Sequence, residues 1–210
     1  MIIWKYLKQF VFAGIFISFF LAMSLSGSAS NNDPIASVSV LGRDSLKVGN
    51  EAPPFVMRDL FTDNAVFMRD YTGKTLRDPW KNKTRHVVVL SFWATWCQPC
   101  KIEIPLLEKI YEEMKGEPIK FFLINTMEKS ESNGDTIQQI YKDRGYKLPC
   151  LIDPATRFAQ LYTVHGLPML IVIDKFGIVR KINRGYKENF HIELEKLLKD
   201  LTKENSGVKK

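Results

Sequence analysis

Between residues 55 and 203 the spacing of apolar positions changes several times, and each change marks an element. Phe55–Arg58 and Ala65–Met68 are short candidate strands around the turn signal Thr62-Asp63-Asn64, so a β-hairpin is predicted. His86 to Trp93, HVVVLSFW, is an almost unbroken β-branched and aromatic run. Such runs mark strands buried on both faces, as in parallel sheets. Ile102, Leu106, Leu107, Ile110 and Met114 recur at helical spacing as far as Gly116, with Pro105 predicted to kink the helix. Ile119–Asn125 reads as a second buried strand, and Ile137, Ile140 and Tyr141 as a second helix stopped near Gly145. A short strand follows over Leu148–Asp153. Asp153-Pro154 predicts an N-cap and first helical residue for a short helix through Phe158, Leu161 and Tyr162. Pro168–Asp174 and Ile178–Ile182 flank Gly177 as a hairpin. A last helix carries Phe190, Leu194, Leu197, Leu198 and Leu201 on one stripe. This order predicts an α/β chain with a mixed sheet and helices on both faces.

The N-terminus has a different pattern. Lys5 and Lys8 precede the apolar run Phe10–Leu25, and the small residues Ser26-Gly27-Ser28-Ala29-Ser30 follow. A positive start, an apolar middle and a small-residue exit form an export signal. Residues 1–29 are therefore expected to be a signal peptide or, if uncleaved, a membrane anchor that contacts or spans the bilayer. No cysteine lies near the exit, which excludes lipid attachment there. The rest of the chain is expected outside the cytoplasm, periplasmic or on the outer face of the membrane, where thiols tend to be oxidised. Residues 30–46 read as a linker, 47–205 as the folded domain and 206–210 as a disordered tail.

Composition narrows the function. The chain has 210 residues, 45% hydrophobic and 25% charged, enough for one domain with its own core. Three cysteines are too few for a disulfide scaffold. The net charge of +7 comes with no arginine-rich run, so a basic solvated surface is expected and no nucleic-acid partner. The polar and basic segment 72–85, with an isolated Trp80, reads as a surface loop.

The chemistry sits in WATWCQPCKIEIP, Trp93 to Pro105. Cys97 and Cys100 directly follow a buried strand and open a helix. Free N–H groups and the helix dipole favour an anion there, so a thiol near this terminus should ionise below its free pKa of about 8.5. Pro99 suits the first helical turn, where a missing N–H costs nothing. The spacing permits a small ring to close and reopen. A zinc site is the competing reading, with Cys97, Cys100, Cys150 and His165 as four donors, but Cys150 is inside an apolar strand and there is no second close pair. A purely structural crosslink is disfavoured too, because closing so short a loop gains little.

SFWATWCQPCKIEIP, Ser91 to Pro105, resembles the active-site segment of thioredoxin-fold oxidoreductases, in particular the exported TlpA/ResA-like branch. Val48–Phe55 resembles that branch's opening segment, and Val164–Val179 its cis-proline loop and following hairpin. The likeness spans about residues 47–203. It implies a thioredoxin-like fold, a central mixed sheet flanked by helices, with an N-terminal β-hairpin extension. It implies Cys97 as the exposed nucleophile, Cys100 as the buried resolving cysteine, and a redox disulfide between them. It implies Pro168 in cis, where the residue pattern alone would suggest the start of an edge strand. It supports Glu103 as the group that takes a proton from Cys100. The alternative is an exposed carboxylate on the helix's polar side. Trp96 reads as a contact surface beside Cys97, Trp93 as core, and Cys150 as a small buried hydrophobe. Ser91 stands where cytoplasmic thioredoxins carry a buried acid, so that acid is missing from the strand.

The expectation is an extracytoplasmic thiol:disulfide oxidoreductase without cofactor or metal, reducing disulfides of exported proteins. Apocytochromes with paired cysteines are among the candidates, and a membrane electron donor would reset the enzyme. A net oxidant is the rival enzyme, and a non-catalytic thioredoxin-fold binding module the rival of another class. A peroxidase fits less well, because W-C-x-P-C is not the setting of a lone peroxidatic cysteine.

Overall fold

The structure, a computed structural model, describes residues 45–204 apart from Lys83 and Glu131. The predicted signal or anchor, nearly all of the predicted linker and the predicted tail lie outside the described residues. Leu46, the last residue of that linker, is buried and donates its N–H to Thr163 Oγ1 at 3.1 Å.

Among the described residues, seven strands form one mixed sheet. They are β1 (Val56–Asp59), β2 (Ala65–Phe67), β3 (Val87–Trp93), β4 (Ile119–Thr126), β5 (Cys150–Asp153), β6 (Met169–Ile173) and β7 (Val179–Arg184), in the spatial order β2-β1-β5-β4-β3-β6-β7. β3, β4 and β5 are mutually parallel, as the two long apolar runs require, and β6 returns antiparallel against β3. The expected N-terminal hairpin is present and extends the sheet by pairing β1 with β5.

Successive residues of β3 feed two separate cores. Val87, Val89 and Trp93 pack with helices α1 (Gln98–Glu113), α2 (Gly134–Asp143) and α4 (Phe190–Lys203). Val88, Leu90 and Phe92 pack with the short helix α3 (Arg157–Leu161), Met57 and Met68. Strand periodicity thus sorts one continuous apolar run into two layers. Pro105 falls inside α1 without ending it. The predicted cap at Asp153 needs correction. A turn over Pro154–Thr156 intervenes, and the helix begins at Arg157. Asp153 still meets the free N–H groups of that helix, accepting from Phe158 and Ala159 at 3.1 and 2.9 Å.

The 72–85 segment is a loop, tied down at several points. Arg77 makes two bonds to the Asp70 carboxylate, at 2.5 and 2.9 Å, and lies 4.1 Å from the Phe67 ring centre. Gly73 approaches the β6–β7 turn so closely that a Cβ on Gly177 would meet Gly73 Cα at 2.8 Å, and Gly177 itself has φ of +87°. Only glycine fits that turn.

Candidate active site

β3 delivers the chain to the site. After Trp93 a tight turn places Cys97 as the N-cap of α1, with extended backbone at φ −78° and ψ 101°. Its sulfur accepts the Cys100 backbone N–H at 3.3 Å, so one free donor of the helix start is aimed at Sγ. Pro99 occupies the first turn. Cys97 and Cys100 are joined by a disulfide, with S–S 1.97 Å and Cα atoms 5.3 Å apart.

Cys97 was expected to be exposed and is not. It is 2% exposed, against 0% for Cys100. In this oxidised state its sulfur is turned back against Cys100, and the exposed positions beside it belong to Trp96 and Gln98. Trp96 is 45% exposed, as a contact surface requires, while Trp93 is core.

The Leu167–Pro168 bond is cis. Pro168 does not start an edge strand: it precedes β6, which lies inside the sheet between β3 and β7. Phe92 is in register with Met169, so the chain leading to Cys97 and the Pro168 loop lie side by side at the same end of the sheet. Gly185 N–H donates to the Pro168 carbonyl at 2.9 Å and secures the loop from the β7 side. His165 is exposed on that loop.

Glu103 is the least ordinary side chain here. It is 2% exposed, which removes the reading of a solvated surface carboxylate. Ser91 Oγ donates to its Oε1 at 2.8 Å. Burial raises the carboxyl to about 7, against the smaller opposing effect of the Ser91 bond. Ser91 on the strand is therefore bonded to a buried acid that comes from α1.

A second cluster was not foreseen. Glu128, just past β4, accepts from Thr95 N–H, Thr95 Oγ1 and Asn125 Nδ2, each at 2.7 Å. Trp96 Nε1–H donates to the Met127 carbonyl at 2.8 Å. The active-site turn is thus bound to the end of β4. In sequence Glu128 is one more acid in a polar loop, and nothing local marks it. Cys150 is fully buried in β5, and burial pushes its thiol up to about 12, so it carries no thiolate at neutral pH. Among the described residues no three His, Cys, Asp or Glu side chains gather as a metal ion would require.

A cysteine pair capping the helix that follows the central strand, next to a cis-proline loop, defines a class: the thioredoxin-fold thiol:disulfide oxidoreductases. The sequence profile of the AhpC/TSA family matches residues 48–182, more than half the chain, and the chain belongs to that family. It is 30% identical to the thiol-disulfide oxidoreductase ResA of Geobacillus kaustophilus over 157 residues, 74% of this chain and 80% of that protein. Among solved structures it resembles the exposed lipoprotein thioredoxin Etrx1 of Streptococcus pneumoniae strain TIGR4, with a TM-score of 0.55 and 26% identity over 71% of this chain and all of that one. A Chlorobium tepidum protein provisionally named thiol:disulfide interchange protein DsbE shares the fold, with a TM-score of 0.63 and 23% identity over 75% of this chain and 99% of that one. The protein is an enzyme of the ResA type that exchanges thiols and disulfides.

Proposed function

We propose that this oxidoreductase works outside the cytoplasm as a reductant of disulfides in exported proteins, with Cys97 as nucleophile, Cys100 as resolving thiol and Glu103 as the proton acceptor for Cys100. In the reduced enzyme the Cys97 thiolate attacks one sulfur of a partner disulfide. A mixed disulfide forms and the first partner thiolate leaves. Cys100 then gives its proton to the Glu103 carboxylate and attacks Cys97 Sγ. The Cys97–Cys100 disulfide closes and the second partner thiolate leaves. The partner gains two electrons and the enzyme loses two. A dithiol donor, which we place in the membrane, returns them.

The observation that carries this reading is Cys97 at the N-cap of a 16-residue helix, with the Cys100 N–H directed at its sulfur. That arrangement lowers the cost of a thiolate at Cys97 rather than at Cys100. Location is supported by Lys5, Lys8, the apolar run Phe10–Leu25 and its small-residue exit, and by the exposed setting that the Streptococcus relative's name records. Among the described residues no helix is long and apolar enough to cross a membrane. Apocytochromes, which carry paired cysteines before haem attachment, are the partner class we favour.

Two measurements test this. The Cys97–Cys100 couple, equilibrated against glutathione, should have a potential more negative than the about −180 mV of protein disulfide isomerase. The reduced enzyme should turn over an oxidised Cys-x-x-Cys-His peptide. A potential near about −120 mV would make the protein a net oxidant instead.

A further inference from the structure

Ser91 is the polar exception in β3, a strand buried along its whole length. Its neighbours in register are Leu123 on β4 and Leu170 on β6. It is 2% exposed, and a hydroxyl in such a layer destabilises the fold unless it is bonded. Alternate residues of β3, Val87, Val89 and Trp93, enter the core beneath α1, α2 and α4, and Ser91 has the same parity. Its partner comes from above, the Glu103 carboxyl on α1 at 2.8 Å. Glu103 follows Cys100 by three residues in that helix, the spacing at which side chains are neighbours. The hydroxyl engages Oε1 and leaves Oε2 for a proton.

We propose that Ser91 is a positioning residue for this enzyme: its hydroxyl holds the Glu103 carboxyl against the sheet and beside Cys100, so that the proton acceptor of the resolving step is mounted on the helix and anchored by the strand. The inference rests on the reading of Glu103 as that acceptor. A buried carboxyl with no donor would favour its neutral form strongly and accept no proton at neutral pH. A donated hydrogen bond favours the ionised form and fixes the rotamer. Burial and the Ser91 hydroxyl are the influences on Glu103 in the oxidised protein, and the two active-site cysteines add charge only when reduced.

The test compares Ser91→Ala, Ser91→Thr and Ser91→Val. Threonine and valine share a shape and differ by the hydroxyl, so the bond is separated from packing. Two readouts are taken: the titration midpoint of the Glu103 carboxyl by ¹³C NMR, with Glu103→Gln identifying its resonance, and the pH profile of resolution from a preformed mixed disulfide of Cys97 with a small thiol. Ser91→Ala and Ser91→Val should raise the midpoint and move the profile to higher pH, with resolution slowed by roughly tenfold on its acidic side. Ser91→Thr should keep both near wild type. The proposal is overturned if Ala and Val leave the midpoint unmoved, or if Thr and Val behave alike. If the midpoint moves as expected while resolution is indifferent to Ser91→Ala and to Glu103→Gln, Ser91 does set the state of Glu103, and the role of Glu103 as proton acceptor is what fails.

Discussion

The Trp96 indole N–H donates to the carbonyl of Met127 at 2.8 Å, joining the exposed face of the active-site turn to the end of β4 across 31 residues of sequence. Glu128, the next residue, binds three donors from Thr95 and Asn125. The surface beside Cys97 is therefore held from below rather than left mobile. Glu128→Ala should lose about 2 kcal/mol in denaturant unfolding, because the Thr95 N–H and the Asn125 amide lose a charged acceptor. Trp96→Phe, which keeps the ring and drops one donor, should lose no more than about 1 kcal/mol. Both should react more slowly with protein disulfides than with small ones. Unfolding midpoints equal to wild type for Glu128→Ala would show that the clamp contributes nothing.

Glu103 makes stability depend on pH. Its carboxyl is raised to about 7 in the folded, oxidised protein. Below the ordinary carboxylate range the folded and unfolded chains both hold the proton, and Glu103 costs nothing. As pH rises toward 7 the unfolded chain releases its proton while the folded one keeps it, so stability falls. Above 7 the loss is complete. Glu103→Gln removes the titration and keeps an acceptor for Ser91. It should therefore stabilise the oxidised protein by about 3 kcal/mol more at pH 8 than at pH 4, measured by urea unfolding at both values. A gain that is the same at both values would mean that Glu103 ionises normally.

The two cysteines should behave asymmetrically. Cys100→Ala keeps the attacking sulfur and removes the resolving one, so it should accumulate mixed disulfides that dithiothreitol releases. Mass spectrometry of the trapped partners would name the substrates. Cys97→Ala should trap little, because the helix-start N–H that favours a thiolate is aimed at Cys97 Sγ and Cys100 lies inside the first turn. In the reduced wild type, iodoacetamide at mildly acidic pH should label Cys97 first. Labelling of Cys100 first would reverse the assignment.

Much of this was legible from local pattern. The strand preceding the cysteines, the helix they open and the hairpin around Gly177 follow from apolar period, proline and glycine, which act within a few residues. The helix start near Asp153 was misplaced because the aspartate reaches two N–H groups across a turn instead of capping in place. Burial of Cys97 was missed because it depends on a sulfur turning toward Cys100, which spacing permits but does not impose. Ser91 and Glu103 were each noticed, yet their bond joins a strand to a helix 12 residues away, and only packing brings them together. Glu128 left no trace, since two of its three donors belong to Thr95, 33 residues away.

Cys150 should prove dispensable. It is fully buried in β5, with its thiol held protonated. Cys150→Ala should keep full exchange activity and lose about 1 kcal/mol from the small cavity. Maleimide labelling of Cys150 should need unfolding. Loss of exchange activity in a folded Cys150→Ala protein would reveal a three-cysteine relay.

The two margins of the sheet have a consequence for how copies of this protein coexist at high concentration. One margin is β2, only 3 residues long. The other is β7, where Arg180, Lys181 and Arg184 punctuate the strand and its pairing with β6 is irregular near Val172 and Ile173. Arg180 is drawn toward Asp174 and Glu204, and Lys181 toward Glu193. A short strand at one side and a charged, irregular one at the other give a second chain little to hydrogen-bond against. Cys97 and the cis-proline loop lie at the end of the inner strands β3 and β6, so a disulfide-containing protein that reaches them meets neither margin, and the backbone ladder on which chains would otherwise aggregate is withheld.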